Sequence, residues 1–328
     1  MSCYSPLRGY CAKDGRWVSK RPTDTSPKKM NVACGQCMGC RYDRAATWAA
    51  RIVHEADQWN SNLFLTLTYR DKSQCNQQQL AEGLYLPEDG SLNKKHFQKF
   101  IKRLRHYLGD TRIRYYGCGE YGDENNRPHY HACIFNLSFS DEELYSHNQG
   151  YPLSTSKTLE DLWGYGFATF GKLTYESAAY TSRYCLKKMT GPRSHDHYLR
   201  CDEYGVAYWI EPEFSLMSRG YRCPEHRGLP TRPTDCNECT GGIGSDWINT
   251  YWEDVYPDDE IPLPKGVIKG TPRFYDEALK HIDPDLYDRV KKARSDYAKK
   301  NPLEFTPQRL EAKFKCKKAL KQHLKRKI

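Results

Sequence analysis

The chain has 328 residues, 38% apolar and 28% charged, which is room for two or three domains around a sizeable core and excludes disorder throughout. Its 51 Lys and Arg against 41 Asp and Glu leave +10, a soluble but basic profile. The longest apolar stretch, around Leu63 to Leu67, falls far short of the roughly 20 residues that span a bilayer, and the N-terminus lacks the apolar core of a signal peptide. No membrane association is expected, and a reducing cytoplasm is.

Fourteen cysteines are too sparse for a disulfide scaffold, but five lie in the first 40 residues and three between 223 and 239, a clustering that points to metal. Residues 1–40, punctuated by Cys, Gly and Pro, read as irregular structure held by something other than a hydrophobic core. Between Arg41 and Gln58, Ala45, Trp48, Ile52, Val53 and Ala56 recur near helical spacing. Residues 64–69 (FLTLTY) alternate as a strand, and 70–90 read as a polar loop.

From Asn93, a plausible N-cap, Phe97, Phe100, Ile101, Leu104 and Leu108 mark an amphipathic helix closed by Gly109. Its other face carries Lys94, Lys95, Lys99, Lys102, Arg103 and Arg105, a solvated surface or a DNA contact. Arg112–Glu120 and Pro128–Phe135 flank a turn-rich loop, the pattern of a β-hairpin. After a polar connection comes a short strand at 166–171, then a helix capped by Thr174 that runs to about Met189.

A last helical stretch is expected over 283–300, and the most basic segment follows it. From Arg309 to Ile328, nine Lys and Arg against one Glu supply +8 of the +10, either a solvated extension or a phosphate-binding arm. One antiparallel pair among irregularly alternating elements gives the class as α+β, a central antiparallel sheet flanked by helices. The expected divisions are a Cys-rich segment and helix (1–60), a nuclease-type core (61–192), a further part with a Cys/His insertion at 222–240 (193–270), and a helical basic tail (271–328).

The sharpest chemical signal is Pro128-His129-Tyr130-His131-Ala132-Cys133. Strand side chains alternate, so His129 and His131 point the same way and can share an ion. If the hairpin register sets Glu120 opposite His129, two imidazoles and a carboxylate converge, a set suited to Mg²⁺ or Mn²⁺ with positions open for phosphate and water. The HxHxHxx pattern of nucleotide hydrolases does not fit, because its third position is Cys133.

On the helix after Thr174, Tyr175, Ala178, Ala179, Ser182, Cys185, Leu186 and Met189 form one face at 100° per residue, and Tyr180, Tyr184 and Lys187 gather opposite. Phenols at i and i+4 stand near enough to address one phosphate in turn. A phenol with a pKa near 10 is a poor nucleophile until a metal draws charge off the phosphate and a lysine, Lys187 or Lys188, supports the transition state. A phosphotyrosine ester would conserve the bond energy, in keeping with the missing GxxxxGK[ST] loop.

Taken in order, FLTLTY (64–69), Gly119-Glu120-Tyr121-Gly122 with RPHYHACIF (127–135), and AYTSRYCLKK (179–188) resemble the three motifs of HUH endonucleases of the rolling-circle class. The likeness is strongest to replication initiators of small single-stranded DNA phages of the gokushovirus type. It extends to ACGQCMGCR (33–41) with Trp48 and His54-Glu55, PEFSLMSR (212–219), GGIG (241–244), TPRFYD (271–276) and the basic end.

The resemblance implies that His129, His131 and Glu120 bind the metal, that Tyr180 and Tyr184 are paired nucleophiles, and that Lys187 or Lys188 is their partner. It also implies a histidine-bearing middle strand, a tyrosine-bearing helix beside it, nicking of origin DNA with a 5′-phosphotyrosine link, and a free 3′-OH that primes synthesis. Residues 222–240 look like an insertion, and helicase machinery is absent. Host helicase, single-strand-binding protein and polymerase are therefore implied partners, in the cytoplasm of a bacterial host.

Cys223, His226, Cys236 and Cys239 have the composition of a structural zinc site, set against unpaired thiols in a loop. Cys34, Cys37 and Cys40 give three more ligands, with Cys3 as a fourth, for zinc or, as a lesser rival, an iron–sulfur cluster. The functional rivals to the nuclease are a non-catalytic, zinc-stabilised nucleic-acid-binding protein and a relaxase or transposase of the same superfamily.

Overall fold

The computed structural model describes residues 3–12, 16–23, 28–148, 150–184, 188, 189, 191, 194–220, 223–226, 236, 241–264 and 266–325. In chain order the strands and helices are β1 (Leu7–Cys11), β2 (Trp17–Val18), β3 (Lys29–Val32), α1 (Met38–Ala56), β4 (Asn62–Thr68), α2 (Gln77–Glu82), α3 (Lys94–Leu108), β5 (Arg114–Tyr121) and β6 (Pro128–Phe135). They continue with β7 (Glu143–Asn148), β8 (Tyr151–Thr155), α4 (Lys157–Trp163), β9 (Ala168–Lys172), α5 (Tyr175–Tyr184), α6 (Ser194–Tyr198), β10 (Leu199–Cys201), β11 (Ala207–Trp209) and β12 (Phe214–Met217). The last are α7 (Ser245–Val255), β13 (Glu260–Leu263), β14 (Gly266–Lys269), α8 (Arg273–Ile282), α9 (Pro284–Lys300) and α10 (Pro307–Lys325). None of the described helices is long and apolar enough to cross a membrane.

Two compact units form, one from Met1–Ala46 with Asp283–Ile328 and the other from Thr47–Ile282. The larger unit is α+β. Its antiparallel sheet has seven strands in the order β12-β5-β6-β4-β9-β8-β7, so β6 lies near the middle with β5 and β4 as neighbours.

Alternation sorts the two faces. Leu65 and Leu67 of β4 with Tyr130, Ala132 and Ile134 of β6 point to one face, where α3 contributes Phe97, Phe100, Ile101 and Leu104 and α4 contributes Leu159 and Trp163. Gly117 of β5 has no side chain because a Cβ there would stand 2.5 Å from the Phe97 ring. Phe64, Tyr116, Cys133 and Phe135 point to the other face, against Trp48, Ile52 and Val53 of α1 and Tyr175 and Ala178 of α5.

The caps are local. Asn93 accepts from the Lys95 amide, Ser156 accepts from the Leu159 amide, and Gly164 ends α4 in the left-handed region at φ 74°. The exposed side of α3 carries Lys94, Lys95, Lys99, Lys102 and Arg105, on the face of the sheet opposite His129 and His131.

Several elements differ from expectation. Residues 1–40 hold a three-stranded antiparallel sheet in the order β2-β1-β3 where irregular structure was expected. Its strands are mostly exposed, so they lack the buried alternation that announces a strand. The loop at 70–90 contains α2, capped by Asn76 and closed by Gly83, and the connection before β9 contains β7, β8 and α4. The helix expected to reach Met189 is described to Tyr184; Lys188 and Met189 are not helical, and Gly191 beyond them takes a left-handed φ of 82°.

A buried charged cluster fastens 241–282 to α1. Glu55 lies 3.0 Å from Arg114 Nε, with both side chains under 5% exposed, and its other oxygen accepts from the Gly244 amide at 2.7 Å. Arg114 donates to Gly241 O and Arg51 to Ile243 O, so the GGIG segment is gripped through its backbone. His54 donates Nε2–H to Pro262 O, which leaves Nδ1 to accept from the Tyr275 hydroxyl at 2.8 Å, and burial lowers its pKa to about 4. Glu55→Ala strips the counter-charge from Arg114 and the acceptor from Gly244, so a loss of about 3–5 kcal/mol is expected in urea unfolding. Glu55→Gln, which can keep an acceptor for the Gly244 amide, is expected to lose less.

Candidate metal and tyrosine site

The β5–β6 hairpin sets Glu120 directly opposite His129 and Cys118 opposite His131. On the other flank β4 sets Thr66 opposite His131 and Thr68 opposite His129. Glu120, His129 and His131 therefore share one face, and their ligand atoms lie within 4.8 Å of one another. Glu120 Oε1 stands 2.7 Å from His129 Nε2 and 3.2 Å from His131 Nε2. Glu120 and His131 are buried, and His129 forms the more open edge with its side chain 18% exposed.

Neighbouring groups orient both imidazoles. His129 Nδ1 is 3.0 Å from Arg127 O, a carbonyl that can only accept, so Nδ1 carries the proton and Nε2 of the neutral ring turns a lone pair toward Glu120. His131 Nδ1 is 3.1 Å from the Thr66 hydroxyl, which likewise sends Nε2 inward. Arg127 is itself pinned by Tyr69 O and Asp71, both at 2.8 Å. Such outer partners fix the rotamer and tautomer of a ligating histidine.

Burial alone would raise the Glu120 carboxyl, but hydrogen bonds from His129 and His131 outweigh it and hold the pKa below the ordinary value. Adjacent donors around an octahedral ion with bonds of about 2.1 Å stand about 3 Å apart. The 2.7 and 3.2 Å separations bracket that spacing. A carboxylate facing two imidazole nitrogens, one of them a forced lone pair, is a donor set that a divalent cation fits.

Helix α5 lies against the same face. Thr174 and Ser177 cap it reciprocally, the Thr174 amide donating to Ser177 Oγ at 2.9 Å and the Ser177 amide to Thr174 Oγ1 at 3.3 Å. Ala178, Thr181 and Ser182 face inward, and the Thr181 hydroxyl sits 3.6 Å from Cys133 Sγ, two residues along β6 from His131. The inward position of Thr181 was not among the expected contacts.

Helical geometry then carries Tyr180 to the rim, 37% exposed, with its ring edge-on to His131 at 5.2 Å between centroids. Phe64 stacks on His131 at 5.4 Å and meets Tyr180 at 6.1 Å, so the three rings form one wall. Tyr184 is the last residue of α5; its side chain and Lys187 lie outside the described residues. Lys188 is described and exposed.

The cysteine expectations divide. Cys3, Cys34, Cys37 and Cys40 converge as one group. Burial alone would raise the Cys37 thiol, yet the Cys40 and Tyr4 amides and the Cys40 and Cys34 thiols bring it to about 6. Cys223 and Cys236 have sulfurs 3.8 Å apart, while Cys239 and the His226 side chain lie outside the described residues. Spacing missed the supporting roles of Thr66, Arg127 and Phe64. The alternation of FLTLTY did carry a signal, since it sets Phe64, Thr66 and Thr68 on one face.

The family model described as Replication-associated protein ORF2 matches residues 62–189, the stretch that contains the triad and α5. The chain is 31% identical over 321 residues to Replication-associated protein ORF2 of Spiroplasma virus 4, covering 92% of this chain and 88% of that protein. It is 29% identical over 296 residues to Replication-associated protein VP4 of Bdellovibrio phage phiMH2K, covering 88% and 80%. Replication-associated protein ORF4 of Chlamydia phage 1 is 28% identical over 165 residues, 48% of this chain and 38% of that protein. No solved structure matches the chain. With sequence likeness running almost end to end and the triad inside the matched stretch, the chain belongs to the family of phage replication-associated proteins typified by ORF2.

Proposed function

We propose that this protein initiates and terminates rolling-circle replication as a metal-dependent, single-strand DNA endonuclease and strand transferase acting in the cytoplasm of a bacterial host. The observation that carries the reading is the Tyr180 ring 5.2 Å from His131, on the sheet face where Glu120, His129 and His131 converge. The naming of its relatives as replication-associated proteins supports the process, and the site supports the chemistry.

In this reading Glu120, His129 and His131 hold Mg²⁺ or Mn²⁺. When bound, the cation supplies Lewis acidity, drawing charge from the scissile phosphate and favouring the oxygens that attack and depart. Thr66 and Arg127 keep the imidazoles aimed inward, and the Phe64 ring walls one side. Tyr180 Oη attacks phosphorus: the O–P bond forms, the P–O3′ bond breaks, the phenol gives up its proton, and the departing oxygen takes one to become a 3′-OH.

The 5′ end stays on Tyr180 as a phosphodiester of similar energy, so the 3′-OH of a completed circle can reverse the step without ATP. Tyr184, one turn along α5, is the second nucleophile, and Lys187 or Lys188 offers charge to the transition state. Single-stranded origin DNA is the substrate; host helicase, single-strand-binding protein and polymerase are the partners this chemistry requires.

The test uses labelled single-stranded oligonucleotides tiled across the replicon that encodes the chain, with Mg²⁺ or Mn²⁺ and the full-length protein. A denaturation-resistant protein–DNA adduct from one tile is expected, with release of a shorter 3′-OH product. Absence of adduct from every tile, or its persistence when both Tyr180 and Tyr184 are Phe, overturns the reading in favour of a protein that binds DNA without cutting it.

A further inference from the structure

We infer that Cys3, Cys34, Cys37 and Cys40 hold one structural zinc ion that stands in for a hydrophobic core in the unit formed by the two ends of the chain. This goes beyond the nuclease reading and does not depend on it. The sulfur separations are 3.7 Å for Cys3–Cys34, 3.9 Å for Cys3–Cys37 and 4.0 Å for Cys34–Cys40. A tetrahedron with Zn–S bonds of about 2.3 Å has edges of about 3.8 Å. Disulfide sulfurs would stand at about 2.05 Å, and all four of these cysteines are free.

The backbone is arranged for sulfur that carries charge. The amides of Tyr4, Cys34 and Cys37 point at the sulfurs of Cys37, Cys3 and Cys34, each at 3.3 Å. Cys37 and Cys40 lie at the start of α1, where the helix dipole favours thiolate. Four soft donors with no oxygen select zinc or iron over Mg²⁺. Sulfurs this close suit a single ion better than a cluster, which would set several irons between them.

A second observation shows why the unit needs such a centre. Among its described residues the buried apolar side chains are only Cys3, Cys40, Ala45, Val290 and Leu310. Leu7 and Met30, on the paired strands β1 and β3, are exposed. A small sheet with so little buried surface is the kind that a metal folds. Here Cys3 precedes β1, Cys34 follows β3, and Cys37 and Cys40 begin α1, so one ion would close the sheet and anchor it to the helix start.

The test replaces Cys223 and Cys236 by Ser in the full-length chain, leaving the N-terminal group as the only four-cysteine candidate, and loads the protein with Co²⁺ in place of zinc. One equivalent with intense thiolate-to-cobalt charge transfer and tetrahedral d–d bands is expected, lost on adding Cys34→Ser. Metal analysis of wild type purified without added metal should give zinc. Stripping the metal should speed proteolysis within residues 1–46 and 283–328 by at least tenfold while 47–282 stays protected.

A colourless cobalt form, a spectrum that survives Cys34→Ser, bound iron in place of zinc, or equal protease resistance with and without metal each overturns the inference. Because wild-type metal content and proteolysis are read without any substitution, a misfolded variant does not leave the question open, and no DNA is involved.

Discussion

Tyr180→Phe is expected to abolish formation of the first covalent adduct, a fall on the order of 10⁴-fold or more, the scale seen when an enzyme loses its nucleophile. The substitution removes one oxygen and leaves the ring. Because Tyr180 is 37% exposed and touches His131 and Phe64 through its ring, the fold should hold within about 0.5 kcal/mol of wild type. Tyr184→Phe should leave the first cut within about tenfold while losing the second strand transfer, since in the proposed scheme its phenol acts only after Tyr180 is occupied. Labelled oligonucleotide resolved on a denaturing gel measures the first step, and joining of two labelled ends measures the second. Wild-type adduct levels from Tyr180→Phe, with none from Tyr184→Phe, would exchange the two roles.

What could be read from the sequence was what strict periodicity encodes. The β5–β6 hairpin was legible because Pro128–Phe135 is buried along its length and a run of turn residues precedes it, and that legibility gave the triad, since register alone sets Glu120 against His129. Helix α3 was legible through its five-residue apolar face and its Asn93 cap. The N-terminal sheet was not, because its strands are mostly exposed and apolar alternation appears only where a strand packs on something.

Strand β12 was missed for another reason. Four half-buried residues at the sheet edge carry little pattern, and their pairing with β5 spans some hundred positions of sequence. Helix α4 had a Ser156 cap and a Gly164 stop in plain view, but at seven residues it is shorter than periodicity can resolve. The second half of the site was half legible. The 100° rotation of α5 put Tyr180 away from the apolar stripe, but only the packing of Thr181 on Cys133 fixes that helix beside His131.

Mn²⁺ is expected to stabilise the protein by about 2.7 kcal/mol at one hundred times its dissociation constant, which for a domain of this size raises the melting temperature by about 5–10 °C. The size follows from linkage, because the ion binds a triad that exists only in the folded sheet. Glu120→Gln should erase the shift. It removes the only anionic donor among the three residues while keeping the volume between the two imidazoles, so loss of binding is separated from loss of packing.

His131→Ala should also erase it, and it opens a gap between Phe64 and Tyr180, so some stability is lost independently of metal. Thr66→Val is the graded case. Without its hydroxyl the His131 ring is less well held, and a 10- to 100-fold weaker affinity is expected, seen as a shift of the Mn²⁺ titration to higher concentration with the same end point. In the same series nicking should fall by more than 10³-fold for Glu120→Gln and His131→Ala and recover in Thr66→Val when Mn²⁺ is raised. Should the Mn²⁺ stabilisation survive Glu120→Gln and His131→Ala undiminished, the ion binds elsewhere and the triad is a buried structural contact between a carboxylate and two imidazoles.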